Sequence, residues 1–169
     1  TRKKNNLTDK VSDKKNKVSF LSGITTKKLI TKPQDSVLCE IATVFDDQFH
    51  YVLKTYGENL EIFYSPSIKK VTGYTPTELI KLPSLGREML FEEDAADVKK
   101  KLFKIENEKI SHVELLYRFN RKDGKIIWLK EQIKTEVIDD QKILKGMVID
   151  VTKFKKAESD YGEIINKLS

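Results

Sequence analysis

Two alternating apolar runs joined by a short polar turn stand out in the stretch YRFNRKDGKIIWLK. Apolar side chains before the turn recur at every second position, at Val113, Leu115, Tyr117 and Phe119. Alternation with a period of two predicts a strand, and the pair Asp123-Gly124 is typical of a hairpin turn. We therefore expect an antiparallel hairpin with strands near 112–120 and 125–138.

A second hairpin and a further strand are indicated elsewhere in the chain. Residues 49–55 and 60–64 alternate on either side of the turn sequence GEN, and KILKGMVIDV follows a pair of aspartates at 139–140. With the helices described next, the predicted order is β-β-α-α-α-β-β-β, followed by a terminal helix. Strands grouped in this way favour an α+β fold over a βαβ arrangement, with an antiparallel sheet and helices on one face.

Three helix starts lie between the hairpins. The segment SPSIKKVTG places Ser65 before a proline at the first helical position and ends in a glycine. The segment TPTEL carries a capping box, in which a threonine and a glutamate three residues later each bind the backbone of the other. The third helix, 94–108, is predicted to begin with Asp94 as its cap. Its apolar stripe is formed by Ala95, Val98, Leu102 and Ile105.

The positive charge of the chain lies in its first segment. The formal net charge is +6, yet residues 1–35 hold ten Lys or Arg and three Asp or Glu, so the remainder is close to neutral. We interpret residues 1–34 as a basic, disordered tail or linker, and 35–48 as an amphipathic flanking helix. Such a tail could contact phosphate groups or simply stay solvated, while the neutral remainder argues against a nucleic-acid-binding protein.

Several functional classes lack their usual signals in this sequence. Cys39 is the single cysteine, which excludes an internal disulfide and disfavours a cysteine zinc site. No apolar run approaches the roughly 20 residues of a membrane span, and no signal peptide is visible, so we expect a cytoplasmic setting. There is no Gly-rich phosphate loop, serine-hydrolase motif or kinase motif, so we expect no catalysis.

Four segments, in this order and spacing, resemble a PAS domain followed by its PAC motif. YSPSIKKVTGYTPTEL is similar to the family segment after the second strand, and LFEEDAADVKK is similar to its HPED helix start, with Phe-Glu in place of His-Pro. YRFNRKDGKIIWLK resembles the family's RKDG hairpin, and GMVIDVTKFKKAE resembles its closing DIT segment. The resemblance covers residues 49–158, and we place the domain at 49–152.

The resemblance implies a five-stranded antiparallel sheet curved over a pocket that short helices close, with flanking N-terminal and C-terminal helices. Family members sense light, redox state, gases or metabolites, or mediate dimerisation. The apolar candidates for lining a pocket are Phe63, Tyr74, Leu102, Phe103, Tyr117 and Met147. The same side chains would serve equally as ordinary core, so a ligand cavity and a filled core both stay open.

The nature of a possible cofactor is constrained by single residues. A covalent flavin photosensor needs a cysteine in the central helices, and Cys39 lies well before them. A haem needs an axial histidine, and 94–108 has none, while His50 and His112 are expected to be solvent-facing strand residues. A flavin held without a covalent bond requires no fixed local motif and is not excluded.

The last segment, 153–169, is predicted to be a signalling helix. Five residues recur at steps of three and four, Phe154, Ala157, Tyr161, Ile164 and Leu168. This spacing is typical of a coiled-coil seam and predicts a parallel homodimer, with packing back over Trp128 as the alternative. Thr152 is predicted to cap the helix, and Asp150 to be held by Arg118 or Lys130, so that sheet and helix are coupled.

The sequence as a whole indicates a non-catalytic sensory or dimerisation module of a signal-transduction protein. A sensor histidine kinase is the expected parent, with a homodimer, an output domain and a small-molecule ligand as the expected partners. Two alternatives stay open: a ligand-free interaction scaffold, and the sensor module of a cyclic-dinucleotide enzyme.

Overall fold

The computed structural model describes residues 21, 23–31, 46–107, 110–139 and 141–168. The expectations for a disordered tail before residue 21, for most of the flanking helix 35–48 and for Cys39 lie outside these described residues.

Among the described residues, six strands form one mixed sheet. Their bounds are β1 (Thr26–Leu29), β2 (Gln48–Tyr56), β3 (Asn59–Tyr64), β4 (His112–Asn120), β5 (Ile126–Ile138) and β6 (Gln141–Asp150). Their order across the sheet is β1-β3-β2-β6-β5-β4. β1 runs parallel to β3, and every other neighbouring pair is antiparallel.

The helical elements lie between the two groups of strands and after the last strand. They are α1 (Ile68–Thr72), α2 (Pro76–Lys81), a 3-10 turn (Arg87–Met89), α3 (Glu92–Asn107) and α4 (Thr152–Leu168). The predicted α+β fold, with its antiparallel hairpins and grouped helices, is confirmed. None of the helices in the described ranges has the length and apolar character needed to cross a membrane.

The sheet has one strand more than the five expected, because β1 lies within the segment 1–34 that was predicted to be tail and linker. The strand pairs with β3 from Thr26 to Leu29. The ammonium group of Lys27 donates to the carbonyl oxygens of Leu82 and Pro83, at 2.7 and 3.0 Å. A lysine-rich segment without strong alternation is thus ordered by tertiary contacts, which local sequence patterns do not report.

The first two helices follow their predicted signals with one exception. Thr75 and Glu78 form the expected capping box at the start of α2. Gly73 ends α1 in the left-handed region, at φ 81°, and its N–H donates to the carbonyl of Lys69. The Ser65 hydroxyl, however, does not cap α1; it accepts the backbone N–H of His50 at 3.0 Å.

The two faces of the sheet differ in what covers them. The inner face packs against α1, α2 and α3, which bury a large apolar core. α3 contributes Val98, Leu102 and Ile105, three members of its predicted stripe, while Ala95 is half-buried. The outer face carries a smaller apolar cluster of Val52, Phe63 and Ile143.

Candidate functional site

A cavity of about 60 Å³ lies between the inner face of the sheet and the loop that joins α2 to α3. Most of its lining side chains are apolar. The strands contribute Phe49, Tyr51, Leu53, Tyr64, Tyr117, Phe119, Leu129, Glu131 and Val148. The helices and the loop contribute Ile68, Thr72, Leu79, Ser84, Leu85, Gly86, Arg87 and Leu90. Strand alternation directs these residues inward, so the cavity is a gap within the core.

An ion pair crosses this cavity from the loop to the sheet. Arg87, in the 3-10 turn, donates from both terminal nitrogens to the two carboxylate oxygens of Glu131 on β5, at 2.6 and 2.7 Å. Glu131 is 1% exposed. A bidentate arginine–carboxylate pair fixes the relative orientation of the two side chains and also pairs their charges. It therefore holds the loop against the middle of the sheet.

Two tyrosines complete the hydrogen bonding of the Glu131 carboxylate. The hydroxyl of Tyr51 donates to Oε1 at 2.5 Å, and that of Tyr117 donates to Oε2 at 2.8 Å. Tyr51 reaches Glu131 by lying across β6 at Gly146, where a Cβ atom would come within 2.2 Å of the ring. We call Tyr51, Arg87, Tyr117 and Glu131 the polar cluster.

The charges within the polar cluster determine its protonation. Burial by itself would raise the pKa of Glu131, but the charge and hydrogen bonds of Arg87, with those of the two tyrosines, hold it below its ordinary value. Burial, reinforced by the charge of Glu131, raises the pKa of Tyr51 and of Tyr117. The carboxylate is therefore ionised at neutral pH, and both hydroxyls keep the protons that they donate.

A third tyrosine beside the cluster differs from the other two. Tyr64 lines the cavity and is 8% exposed. Its ring lies 6.2 Å from that of Tyr51, and it is not one of the hydrogen-bond donors to Glu131 within the described residues. Burial raises the pKa of Tyr64, so the hydroxyl is neutral and can both donate and accept.

The structure corrects most of the predicted pocket residues. Tyr117 lines the cavity, Leu102 is buried in the surrounding core, and Tyr74 packs edge-on against Phe119. The assignment of Phe63 to this cavity was wrong, because its strand position directs it to the outer face, where Met147 lines a different depression. The assignment of Phe103 was wrong as well. Its side chain is 53% exposed, because it lies outside the apolar stripe by which α3 packs against the core.

The two histidines lie on the outer face of the sheet. His112 is exposed as expected, but His50 is buried, with its ring 5.5 Å from that of Phe63. This burial lowers the pKa of His50 and contradicts its predicted solvent-facing position. Among the described residues, no group of three or more His, Cys, Asp or Glu side chains is arranged to hold a metal ion.

The predicted cap Asp94 has a different role. α3 begins at Glu92, so Asp94 lies in its first turn. Its carboxylate accepts the backbone N–H of Arg118 at 2.7 Å, and two guanidinium nitrogens of Arg118 at 2.9 Å each. The same guanidinium lies 4.5 Å from the Phe91 ring and 5.5 Å from the Trp128 ring. Arg118 thus joins α3 to β4 and to β5.

The predicted partners of Asp150 were also wrong, because Arg118 binds Asp94 and Lys130 pairs with Glu114. Asp150 accepts the backbone N–H of Thr152 at 2.9 Å, and therefore performs the capping that had been expected of Thr152. The Thr152 hydroxyl instead accepts the backbone N–H of Trp128 at 2.9 Å. The start of α4 is consequently tied to β5.

The predicted seam of α4 is exposed to solvent. Within α4 as described, residues 152–168, no side chain is buried. Phe154 is 76% exposed, so the alternative in which the seam packs back over Trp128 is wrong. The ammonium group of Lys155 lies 5.7 Å from the Trp128 ring.

Replacing Asp94 with asparagine should lower the free energy of unfolding at pH 7 by about 1.5–3 kcal/mol, the usual worth of hydrogen bonds to a charged group. Hydrogen bonds from Arg118 lower the pKa of Asp94, although burial opposes them. The stabilisation is present above the pKa of unfolded aspartate, and is lost as the pH falls through the lower pKa of the folded state. Urea unfolding followed by Trp128 fluorescence should therefore show a smaller difference at pH 3 than at pH 7.

The control for this experiment is Asp97→Asn, one turn further along α3. Asp97 is 58% exposed and pairs with Lys101 on the same helix. Such a surface pair contributes about 0–1 kcal/mol. Equal losses for the two variants, or a loss for Asp94→Asn that does not depend on pH, would contradict the role assigned to Asp94.

A comparison with models of protein families identifies the family to which this fold belongs. A family model described as "PAS fold" matches residues 61–148, more than half of the chain. The comparison with curated proteins returned no match.

Many solved structures are similar to this chain, and three of them are described here. A sensory box histidine kinase/response regulator from Burkholderia thailandensis superposes with a TM-score of 0.58 at 18% identity, over 76% of this chain and 95% of that chain. An RNA-binding Light-Oxygen-Voltage receptor superposes with a TM-score of 0.51 at 12% identity, over 72% of this chain and 32% of that chain. The PAS domain of a protein from Colwellia psychrerythraea superposes with a TM-score of 0.49 at 18% identity, over 69% of this chain and 98% of that chain. At these identities the similarity of the first two structures concerns the fold alone.

Proposed function

This chain belongs to the PAS fold family, and on that premise we propose that it is a non-catalytic sensory and dimerisation module of a cytoplasmic signal-transduction protein. A ligand in the cavity would change the packing of the sheet, and the C-terminal helix would carry that change to an output domain. A sensor histidine kinase is the proposed parent, in keeping with the sensory box histidine kinase among the similar structures.

One observation carries this proposal: a single strand contacts both the cavity and the helix. β5 places Glu131 in the cavity lining. Three residues earlier, the backbone N–H of Trp128 donates to Thr152 at the start of α4, and its carbonyl accepts the N–H of Val151. A shift of β5 that follows from a change at Glu131 would therefore move the first turn of α4 directly.

The exposed seam supports the dimerisation part of the proposal. Large apolar side chains are not normally left in water along one stripe of a helix, since their burial is favourable by about 25 cal/mol per Å². The exposed apolar residues of α4 are Phe154, Tyr161, Ile164, Ile165 and Leu168. A second copy of the same helix would cover them in a parallel homodimer.

We expect single cysteines at positions 157, 161, 164 and 168 to form disulfide cross-links between chains of the full-length protein, with Cys39 removed. All four positions lie on the proposed seam. Positions 159 and 163 are equally exposed but lie off the seam, and they serve as matched controls. Non-reducing electrophoresis after mild oxidation reads out the result. Equal cross-linking at all six positions, or at none, would be incompatible with the parallel seam.

The alternative function is that of a ligand-free interaction scaffold, which would use the same exposed seam. The two functions differ in whether the purified protein carries an extractable small molecule, which mass spectrometry of a denatured sample would detect. Modules of this kind also precede cyclic-dinucleotide enzymes, and sequencing the region that follows α4 would distinguish that output from a kinase.

A further inference from the structure

We propose that His50 and Met147 form a binding site for a soft monovalent metal ion, Cu(I), on the outer face of the sheet. The site is separate from the cavity on the inner face and from the exposed seam of α4, so it goes beyond the sensory function proposed above. Three features of the outer face lead to it: the state of the His50 imidazole, the position of Met147 and the chemistry of the two ligands.

The imidazole of His50 is buried without a hydrogen-bond partner. Its side chain is 7% exposed, and neither Nδ1 nor Nε2 has a partner among the described residues. A buried polar group in this state is unfavourable unless something else satisfies it. Burial also lowers the pKa of His50, so the ring is neutral at pH 7 and one nitrogen keeps its lone pair. This is the form in which histidine binds metal ions.

Met147 supplies a thioether next to this ring. His50 on β2 and Met147 on β6 are directly opposite each other in the antiparallel register, so they project from the same face of the sheet. Opposite residues have their Cβ atoms about 4.5–5.5 Å apart, which allows one ion to contact both side chains. Met147 is 43% exposed, and both residues line a depression of about 500 Å³ on this face. An ion can therefore reach the pair from solvent.

The two ligands select the metal. Thioether sulfur is a soft ligand that favours Cu(I), and imidazole also binds copper. Both ligands are neutral, whereas Zn(II) is normally held by four ligands in a tetrahedron. Lys134 and Lys145 line the same depression, and Lys145 pairs with Glu136 at 2.5 Å. These lysines repel a monovalent ion less than a divalent one. The site thus differs from a cluster of three or more His, Cys, Asp or Glu ligands, which the described residues do not provide.

An ion bound by both side chains would link β2 to β6. Tyr51, the next residue on β2, donates to Glu131 on the inner face. β6 continues from Met147 to Asp150, which caps α4. Metal at this pair would therefore hold together the strand that serves the polar cluster and the strand that leads into the C-terminal helix. The module would thereby gain an input on the face opposite the cavity.

The test uses Ag(I), a soft monovalent ion that is not oxidised in air, as the probe for Cu(I). It is titrated at pH 7, in chloride-free buffer, into the full chain with Cys39 replaced by serine, so that the thiol does not compete. The chain has two methionines, and carbon-13 in their ε-methyl groups gives one signal from each. We expect the Met147 signal to shift and to saturate at one equivalent, while the Met89 signal stays in place. Zn(II) should move neither signal.

Matched variants test the two ligands. Met147→Leu keeps the volume of the side chain but removes the sulfur, and should weaken Ag(I) binding at least tenfold. His50→Phe should weaken it as much, and its phenyl ring suits the apolar surroundings beside Phe63, 5.5 Å away. Met89→Leu and His112→Gln are the controls and should leave the affinity unchanged, since His112 is exposed on β4, two strands from β6.

An equal shift of both methionine signals, the absence of saturation, or an unchanged affinity in Met147→Leu or in His50→Phe would each overturn the proposed site. Zn(II) binding as tight as that of Ag(I) would overturn the choice of metal. Circular dichroism of the variants distinguishes a lost ligand from a lost fold, and Met147→Leu alters a side chain that is 43% exposed. The cross-linking pattern of α4 does not depend on this pair, so failure here would leave the signalling role of the module in place.

Discussion

Replacing Arg87 with alanine is expected to destabilise the folded chain by about 3–5 kcal/mol, the cost of leaving one partner of a buried ion pair without its counter-charge. Glu131 would remain on the inner face of β5 at 1% exposure, with the two tyrosine hydroxyls as its described donors. Urea unfolding at pH 7, followed by Trp128 fluorescence, measures the loss.

The pH dependence of this loss identifies its cause. In the native chain the pKa of Glu131 is held below its ordinary value, because the charge and hydrogen bonds of Arg87 outweigh burial. Without Arg87, burial raises that pKa above the value in the unfolded chain. The penalty in the variant is then full above the raised pKa, and disappears as the pH falls towards the unfolded value. The difference between variant and native chain should consequently be smaller at pH 4.5 than at pH 7.

Two further variants separate the buried charge from a general effect of mutation. Lys28→Ala removes a cation whose pair with Glu61 lies at the surface, and should cost about 0–1 kcal/mol. The double variant Arg87→Met with Glu131→Leu removes both charges and should recover more than half of the loss. Recovery stays incomplete because the hydroxyls of Tyr51 and Tyr117 lose their acceptor. A double variant as unstable as Arg87→Ala would refute the ion-pair explanation.

The secondary structure was largely predictable because its signals are local. The β4–β5 hairpin was expected at 112–120 and 125–138, and it occurs at His112–Asn120 and Ile126–Ile138. Alternation and an Asp-Gly turn act over a few residues, so they can be read without knowledge of the rest of the chain. β1 lacked such a signal, since its order depends on pairing with β3 and on contacts of Lys27 with the loop after α2.

The site was less predictable because its partners are distant in sequence. Arg87 and Glu131 are 44 residues apart, and Arg87 lies in an irregular segment without periodicity. One signal was present: Glu131 occupies the inward position between Leu129 and Ile133, where a charged residue needs a partner. The predicted pocket residues were instead selected by size. The alternation of side chains along β3 would by itself have assigned Phe63 to the outer face, because Leu60 and Ile62 lie on the inner one.

Replacing Gly146 with alanine is expected to destabilise the fold by about 1–3 kcal/mol, the usual cost of overpacking a tightly packed core. Gly146 is paired with Tyr51 across β6 and β2, and the Tyr51 ring lies over its Cα. An added Cβ atom would be 2.2 Å from two ring carbons, so the ring must move. The movement would withdraw the Tyr51 hydroxyl from Glu131, and so remove one donor of the polar cluster.

The comparison with Gly162 shows that this effect does not follow from the loss of a glycine as such. Gly162 lies in α4 with open space around the position of a Cβ atom, and alanine there should stabilise the helix by about 1 kcal/mol. Opposite signs for the two Gly→Ala changes are therefore expected in urea unfolding. In a Tyr51→Val background the ring is absent, and Gly146→Ala should then be nearly neutral. If Gly146→Ala cost as much in that background as in the native chain, the close approach of Tyr51 would not be the reason for a glycine at position 146. The path by which Tyr51 reaches the buried carboxylate would then need another explanation.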